Sequence, residues 1–520
     1  MSKRKAIGID LGTTFSAAAH IDIYGKPQII PNSESERITP SVILFENGTA
    51  VVGTIAKNNS VAEPEHIVDF VKREMGKSKA QFSRELDGKT YSAEELSALI
   101  LKKIKNDAET YLKETITDAV ITVPAYFSDA ERTATITAGR LAGLNVLQVI
   151  NEPTAAAVAY GLDKLDEDQT VFVFDLGGGT LDVTIMRIEG HQITMLATNG
   201  DHRLGGKDWD DAIVNYVAEE FDREYGENPL LDLESYQDLQ SRALAAKIQL
   251  SSRPRTAIVH SYNGKSLKVE LSREDFELKT RSLVEKCKAI CEIVMQEAKL
   301  EWSVIDKVLM VGGMTRMPMV REMIGQLSSA PLSDDVNPDE AVAVGAAIQA
   351  ILVMLQEEET TGEKTLPADT RQQFSSREGA LMQVTNITSH TLGVVLWDEA
   401  HLEEYVFPMI NKMSAIPASS KYFFGTASAN MPRAVVRIVE GESTLPVECT
   451  PLGTCDVELP PFLPKGSPVE LVYEYNANQV LEVAVHACGN ETKMSIERNT
   501  GLAPHEVAEA TARIAALTVA

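Results

Sequence analysis

The residues best suited to chemistry lie in one glycine-rich turn between two apolar strands, in the sequence VFVFDLGGGTLDVTI. Consecutive glycines leave their backbone N–H groups open to phosphate oxygens, a threonine adds a hydroxyl, and two aspartates stand where a hydrated Mg²⁺ needs carboxylates. A glycine-rich hairpin without a ligand is the alternative for this stretch alone. The residues concerned are Asp175, Gly177, Gly178, Gly179, Thr180 and Asp182.

A second turn of the same kind lies near the N-terminus. The sequence KAIGIDLGTTFSAAAHI places Asp10, Gly12, Thr13 and Thr14 between two strands. Because the hydrophobic period after the glycines is 2 in both places, neither a P-loop nor a dinucleotide-binding turn is indicated. Two such turns, 165 residues apart, predict a duplicated hairpin unit that presents two phosphate-binding turns to one nucleotide.

The segments around these turns alternate strands with helices, which predicts an α/β domain. Ser92 with Glu95, and Ser128 with Glu131, are spaced as capping boxes at the start of two helices. Pro153 suits the first turn of a third helix.

A glycine pair, Gly312 and Gly313, follows another buried strand. Such a pair lets a flat ring lie close against the main chain, and the guanidinium of Arg316 could stack over that ring. By its position in the sequence alone, Lys72 is predicted to be an ordinary solvated surface lysine.

Composition limits the classes of protein to consider. A chain of 520 residues is too long for one core and predicts two to four domains. The net charge of −26 argues against nucleic acid or anionic lipid as a general partner. No signal peptide or membrane span is predicted, because the apolar run from Ala341 to Leu355 is too short, so we expect a cytoplasmic protein. The cysteines, which include Cys488, lack metal-site spacing and read as buried thiols.

Seven motifs, in chain order, resemble the nucleotide-binding domain of the heat-shock protein 70 (DnaK) chaperone family. They are IGIDLGTTFS, VITVPAYFSDAER, INEPTAAAVAYGLD, FDLGGGTLDV, GDHRLGGKDWD, VGGMTRMP and VNPDEAVAVGAAIQA, within about the first 355 residues. The resemblance implies an actin-like domain of two lobes, built from duplicated ribonuclease-H-like units. It also implies that ATP is bound with Mg²⁺, with K⁺ as a further candidate ion, and is hydrolysed slowly to ADP and phosphate.

The resemblance also implies roles for single residues. Asp10 and Asp175 would hold the metal, and Lys72, Glu152, Asp175 and Thr180 would orient the attacking water. Pro124 and Arg132 would relay the nucleotide state to the lobes. The remaining nucleotide contacts would come from Gly12, Thr13, Thr14, Gly177, Gly178, Gly179, Asp182, Gly205, Gly206, Lys247, Ser251, Gly312, Gly313, Arg316 and Asp339.

Several positions depart from the family pattern. Leu244 stands where a glutamate often lies near the ribose, which predicts weaker nucleotide binding. Gln148 and Gln383 replace an arginine and an aspartate that serve contact with a J-domain partner. These changes predict altered coupling to such a partner, or a dedicated J-domain co-chaperone and nucleotide exchange factor. The segment from Gly76 to Ser92 also looks shorter than in relatives.

The C-terminal part reads differently. Residues 356–386 predict an exposed acidic connector with a short apolar linker, and residues 387–500 predict a β-sandwich that resembles the family's substrate-binding domain. Residues 501–520 predict one short helix and no helical lid, so we expect an open peptide site with fast exchange of client polypeptide. The resemblance assigns the peptide groove to Val394, Trp397, Phe424, Ala427, Ala434 and Val436, although inward apolar residues on strands are more often core.

Alternative functions are a chaperone regulator that binds nucleotide as a latch with little turnover, an actin-fold sugar kinase and a filament-forming actin relative. A sugar kinase would not need the β-rich C-terminal part, and an actin relative should end near residue 355.

Overall fold

The computed structural model describes residues 4–164, 167–333, 337–367, 370–375, 380–487, 490–494, 502 and 504–520. The first part of the chain builds two large mixed sheets with helices between and around them. Two four-stranded antiparallel sheets follow, and the C-terminal segment then returns to the first part.

One large sheet contains the first glycine turn. Its strand order is β11-β10-β1-β2-β3, with β1 antiparallel to β2 and parallel to β10. Because β1 ends at Asp10, the turn joins antiparallel strands, as the period of 2 predicts. The strands of this region are β1 (Ala6–Asp10), β2 (Phe15–Ile21), β3 (Pro27–Ile30), β4 (Thr39–Pro40), β5 (Ile43–Glu46), β6 (Thr49–Val52), β7 (Ile67–Val68), β8 (Arg84–Leu86), β9 (Lys89–Tyr91), β10 (Asp118–Val123) and β11 (Asn145–Asn151).

The second large sheet has the order β18-β17-β12-β13-β14-β19. It repeats the arrangement of the first, since an antiparallel hairpin, β12–β13, carries the glycine turn and a parallel strand, β17, flanks it. Strands β15 and β16 form a separate hairpin. The strands of this region are β12 (Asp168–Leu176), β13 (Leu181–Glu189), β14 (Gln192–Asp201), β15 (Arg255–Tyr262), β16 (Lys265–Ser272), β17 (Lys307–Val311), β18 (Leu332–Ser333) and β19 (Gln383–Thr385).

Helices start where the capping residues predict. The side chains of Ser92 and Ser128 accept from the backbone N–H groups of Glu95 and Glu131, and both capping boxes are complete. The helices of the two sheet regions are α1 (Thr54–Asn58), α2 (Ala93–Leu112), α3 (Asp129–Leu141), α4 (Glu152–Gly161), α5 (Gly206–Tyr225), α6 (Leu233–Ser252), α7 (Arg273–Ala298), α8 (Pro318–Leu327) and α9 (Ala341–Thr361).

Helices α4 and α9 pack between the two large sheets, in one core shared by both. Small residues make this possible: a Cβ on Gly345 would lie 1.7 Å from the Ala155 carbonyl oxygen, and a Cβ on Gly8 would lie 2.0 Å from the Ala347 nitrogen. Helix α9 has the length and hydropathy to cross a membrane, but 67% of its apolar window is buried in the protein. Burial between the sheets therefore accounts for its apolar sequence.

The predicted connector is more ordered than its polar sequence indicates. The predicted domain boundary at residue 355 falls inside α9, which continues to Thr361. A single helical turn, α10 (Thr370–Gln373), follows. Strand β19 then pairs in parallel with β14, so the apolar linker joins the second large sheet. Backbone pairing with a sheet edge, which a composition-based expectation does not include, explains the difference.

The next part is a β-sandwich, as predicted. Its sheets have the orders β21-β20-β23-β24 and β22-β25-β26-β27, and their inner faces form one hydrophobic core. Its last predicted residues, 495–500, lie outside the described residues, as does Cys488. The strands are β20 (Leu392–Asp398), β21 (Glu403–Ile410), β22 (Ala418–Gly425), β23 (Arg433–Glu440), β24 (Thr450–Glu458), β25 (Pro468–Tyr475), β26 (Leu481–Ala487) and β27 (Asn490–Met494).

The C-terminal segment is a helix, α11 (Pro504–Ala516), followed by a strand, β28 (Thr518–Val519), where the sequence predicts one helix alone. Helix α11 packs against α2 and α3, and β28 pairs in parallel with β6. Ala510 and Ile514 are fully buried in the core that surrounds the first large sheet. This sheet and the helices packed on it are called the N-terminal lobe below. This segment, residues 504–520, is called the tail below.

Candidate nucleotide site

A deep cleft between the two large sheets encloses a cavity of about 720 Å³. Both glycine turns line it, one from each sheet. The cleft brings together most of the sequence-predicted site residues: Asp10, Gly12, Thr13, Thr14, Lys72, Glu152, Asp175, Gly177, Gly178, Gly179, Thr180, Gly206, Lys247, Ser251, Gly312, Gly313, Arg316 and Asp339. Among the residues predicted for the nucleotide site and its relay, those outside the cavity lining are Pro124, Arg132, Asp182 and Gly205.

The two glycine turns face each other across the cleft at close range. A Cβ on Gly178 would lie 2.2 Å from the Thr14 hydroxyl oxygen, and one on Gly179 would lie 2.4 Å from the Thr13 hydroxyl oxygen. Gly205 lies directly behind, where a Cβ would be 2.5 Å from the Gly179 backbone. Any side chain at these positions would fill the space between the turns, so glycine is required by close approach.

Helix α5 begins against the second turn. The N–H groups of Gly206 and Lys207 donate to the carbonyl oxygens of Gly177 and Gly178, at 2.9 and 2.8 Å. The positive end of the α5 dipole therefore points at the glycine turn, which is a favourable place for phosphate.

One lysine stands among four carboxylates at the base of the cleft. The Lys72 ammonium donates to Glu152, and both side chains are buried. Burial, reinforced by the charge of Glu152, raises the pKa of Asp10 and that of Asp182 to about 7 each. The same two causes raise the pKa of Asp175 well above its usual range. The group carries more negative charge than Lys72 neutralises, so it favours a bound cation.

These residues fit a Mg²⁺ ion. Mg²⁺ prefers carboxylate oxygens and keeps several waters. Asp182 is almost fully buried, yet its Oδ2 makes no hydrogen bond within the part of the chain that the structure describes. A hydrated cation held by Asp10 and Asp175 would supply both the missing charge and the missing donors.

The far end of the cavity has the features of a nucleoside site. Gly312 has a φ of 81°, and a Cβ there would lie 2.4 Å from the Leu176 carbonyl oxygen. Arg316 and Asp339 form an ion pair of 2.7 Å beside this glycine pair. Lys247 pairs with Asp210 at 2.8 Å, and both residues line the cavity, as does Leu244.

Some cavity residues were not predicted. Arg73 donates to the Gly179 carbonyl oxygen at 2.8 Å and to Asp208 at 2.8 Å, which ties the segment carrying Lys72 to the second turn. Arg73 itself is outside the cavity lining, whereas Lys57, Lys207 and Asp210 belong to it. No local pattern distinguishes these residues from surface charges, because only the fold brings their segments to the cleft.

Arg132 and Pro124 lie behind the cleft, toward the β-sandwich. Arg132 is fully buried and donates to the carbonyl oxygens of Ala125 and Phe127 at 2.9 and 3.0 Å. Glu440 of β23 is buried close to it. The predicted relay pair therefore sits at the contact between the nucleotide domain and the sandwich.

A pH-dependent stability is expected from this contact. Burial, with the nearby charges of Asp129 and Glu131, raises the pKa of Glu440 to about 8, while Arg132 opposes the shift. The folded protein therefore holds a proton on Glu440 that the unfolded chain releases near pH 4.5, so the stabilisation is lost as pH rises toward 8. The loss amounts to at most about 1.4 kcal/mol per pH unit.

We expect Glu440→Gln to flatten the fall in thermal midpoint between pH 6 and pH 8.5. The amide keeps the shape of the protonated acid and cannot ionise. Glu458→Gln, at an exposed position of the same sandwich, serves as the control. Parallel pH profiles for Glu440→Gln and wild type would contradict the prediction.

The residues predicted for a peptide groove differ in exposure. Val394 and Val436 are buried in the sandwich core, and Phe424 and Ala434 pack against it. Trp397 is 50% exposed, and Ala427 is also exposed. Phe424 further contacts Phe407, with ring centroids 5.4 Å apart.

Gln148 and Gln383 both lie at contacts between domains. Gln148 accepts from Gln349 at 2.8 Å and donates to the Ala477 carbonyl oxygen at 3.3 Å. Gln383 begins β19, and its N–H donates to the His191 carbonyl oxygen. The Gln148 side-chain amide thus bonds to the sandwich, whereas Gln383 is held through its backbone and its side chain is exposed.

Comparison with known families agrees with this arrangement. A model of the Hsp70 protein family matches residues 6–517, which is nearly the whole chain. The match spans the cleft, the linker, the sandwich and most of the tail. The chain therefore belongs to the Hsp70 family, whose members are ATP-dependent chaperones.

Proposed function

We propose that this protein binds Mg·ATP in the cleft, hydrolyses it to ADP and phosphate, and uses the reaction to change its affinity for client polypeptide. The observation that carries the proposal is the pair of glycine turns facing each other above a cluster of carboxylates around Lys72. The family match does not favour the sugar-kinase alternative. Two lobes built from duplicated ribonuclease-H-like units are part of the same proposal.

Different residues of the cleft would bind the phosphates, bind the metal and orient the attacking water. N–H groups of both turns, with Thr13, Thr14 and Thr180, would hold the phosphates. Asp10 and Asp175 would hold Mg²⁺, which when bound neutralises charge on the transferring phosphate. Lys72 is kept in place by Glu152, and the two with Asp175 would orient a water for attack. Positioning and charge neutralisation are the main requirements of phosphoryl transfer, so no covalent intermediate is needed.

The nucleoside and client sites complete the proposal. Gly312, Gly313 and Arg316 would receive the base, while Lys247 and Ser251 would contact the sugar side. Client polypeptide would bind the sandwich near Trp397 and Phe424. We further propose a cytoplasmic location and regulation by a J-domain partner and an exchange factor.

Titration calorimetry with Mg·ATP tests the binding step. We expect Gly178→Ala to weaken binding at least tenfold, because its methyl group would collide with Thr14. Gly325→Ala is the matched control, since a Cβ at Gly325 in α8 meets nothing within 4 Å. A wild-type protein that fails to bind ATP, or equal affinities in the two variants, would overturn the proposed site.

Two further measurements test the later steps. Single-turnover assays with enzyme in excess should show conversion of ATP to ADP. If no ADP forms, the protein is instead a regulator that binds nucleotide as a latch. Limited proteolysis of residues 356–385 should show ATP-dependent protection. Equal cleavage with and without ATP would argue against communication between the domains.

A further inference from the structure

The first turn of α4 is contacted by both parts of the chain that follow the nucleotide domain. The Gln479 side-chain amide donates from Nε2 to Oδ1 of Asn151, at 3.3 Å. The Thr154 hydroxyl donates to Oδ1 of Asn386, just after the linker strand, at 3.0 Å. Between Asn151 and Thr154 lies Glu152, the partner of Lys72. A change at this turn therefore reaches the cleft without any intermediate residue.

Asn151 occupies the N-cap position of α4 but does not cap it. Its backbone is extended, with φ −67° and ψ 136°, and its side chain makes no capping hydrogen bond. Asparagine is among the best N-cap residues, because its oxygen accepts from the N–H two or three positions later. Pro153 has no N–H, so the available donor is that of Thr154. The Asn151 oxygen is turned to Gln479 and makes no bond to this N–H, although an amide oxygen has two acceptor sites.

The Gln479 contact is not a relaxed one. Gln479 is fully buried, has a φ of 58°, and leaves Oε1 without a hydrogen-bond partner within the described chain. A left-handed backbone is unfavourable for a residue with a β-carbon, and a buried unpaired carbonyl is costly. The φ of 58° belongs to the turn itself, since the Gln479 N–H donates to the Asn476 carbonyl oxygen at 2.8 Å. The cost of the unpaired carbonyl is removed when the β25–β26 turn leaves the nucleotide domain, so this contact suits a reversible one.

We propose that Gln479 is a positioning residue that diverts Asn151 from capping α4. With the sandwich docked, Oδ1 of Asn151 accepts from Gln479 and the first turn of α4 is uncapped. With the sandwich released, the same oxygen accepts from the Thr154 N–H and caps the helix. Because Glu152 is the first residue of α4, its position shifts when the first turn gains or loses its cap. The functional consequence for Glu152 rests on the proposed ATPase function.

Neighbouring bonds hold the same turn without touching Asn151. Oδ1 of Asn478 accepts from the Val149 N–H at 3.1 Å, and the Leu481 N–H donates to Asp129 at 2.8 Å. Asn478→Ala therefore removes one bond of the docked turn and leaves Gln479 on Asn151. This provides a matched control.

Hydrogen exchange of the Thr154 amide, resolved to single residues by gas-phase fragmentation and measured without nucleotide, tests the proposal. We expect Gln479→Gly to slow this exchange at least fivefold, because Asn151 is freed to cap α4. Gln479→Glu, whose side chain has no hydrogen-bond donor, should also slow the exchange of Thr154. It replaces the glycine variant if that variant folds poorly. Adding Asn151→Ala to either variant should abolish the gain, and Asn478→Ala should produce none.

The sign of the effect separates this role from a merely structural one. Loss of an ordinary packing contact speeds exchange, whereas release of a capping residue slows it. Unchanged or faster exchange of Thr154 in the folded Gln479 variants would overturn the proposal. Because no nucleotide is present, this result is independent of whether the protein binds or hydrolyses ATP.

Discussion

Lys72→Ala is expected to lower the single-turnover rate of ATP hydrolysis by about 10² to 10³-fold, the loss typical when one preorganised charged group is removed. Lys72 is the cation at the base of the cleft, and Glu152, Asp10, Asp175 and Asp182 all surround it. Its removal leaves the attacking water without its positioning group. Affinity for Mg·ATP, measured by calorimetry, should change much less, because the glycine turns and α5 still hold the phosphates.

Lys103→Ala is the matched control for this variant. Lys103 is also a buried lysine of the N-terminal lobe, paired with Asp107 at 2.8 Å, but it does not line the cavity. Its loss should reduce thermal stability in a similar way while hydrolysis is retained. Equal hydrolysis rates in Lys72→Ala and wild type would contradict the assigned role of Lys72.

Ile514→Asp is expected to detach the tail and destabilise the N-terminal lobe by about 3 to 5 kcal/mol, as burial of an unpaired charge in a core does. Ile514 is fully buried. Beside it Arg513 is ion-paired with Glu95, and Lys102 donates to the carbonyl oxygens of Ile514 and Leu517 at 2.7 and 2.9 Å. Detachment therefore also removes the cation that pairs with Glu95.

The Val52 amide reports this detachment directly. Its N–H donates to the Ala520 carbonyl oxygen at 2.9 Å, so it should exchange at least tenfold faster in Ile514→Asp. Ala512→Asp, at an exposed position of the same helix, should leave Val52 protected. Unchanged protection of Val52 in Ile514→Asp would show that the tail is not held by its apolar face.

A detached tail would also free the sandwich at one end. In the structure the sandwich is joined to the second large sheet through β19 and to the N-terminal lobe through the tail. Between Met494 and Pro504 lie nine residues, which span at most about 35 Å when fully extended. As long as the tail is bound, the sandwich therefore cannot move far from the nucleotide domain.

Local patterns predicted the elements that carry the chemistry. The glycine turns, the two capping boxes and the glycine pair before Arg316 each depend on residues close in the chain, and the structure has the corresponding turns and helices. Their roles with nucleotide remain predictions. The resemblance to Hsp70 proteins, rather than any pattern around it, singled out Lys72, since its burial depends on distant strands.

Contacts between distant segments were not predictable in the same way. The short apolar run at residues 380–385 predicted a linker but not its pairing with β14, and a short helix gave no sign that Ile514 would be buried in the same core as Tyr91 and Leu99. The diversion of Asn151 from α4 to Gln479 joins residues 328 positions apart. Such contacts depend on which surfaces meet after folding.

The amino-acid sequence was therefore sufficient for the family, the glycine turns and the capped helices, because backbone conformation and hydrophobic period are set by neighbouring residues. The repeated glycine turns also predicted one shared site, and both turns line one cavity in the structure. Only the tertiary structure decided that the linker and the tail each add a strand to a different sheet. Those outcomes come from burial and backbone pairing between segments far apart in the chain, for which no local residue pattern is a signal.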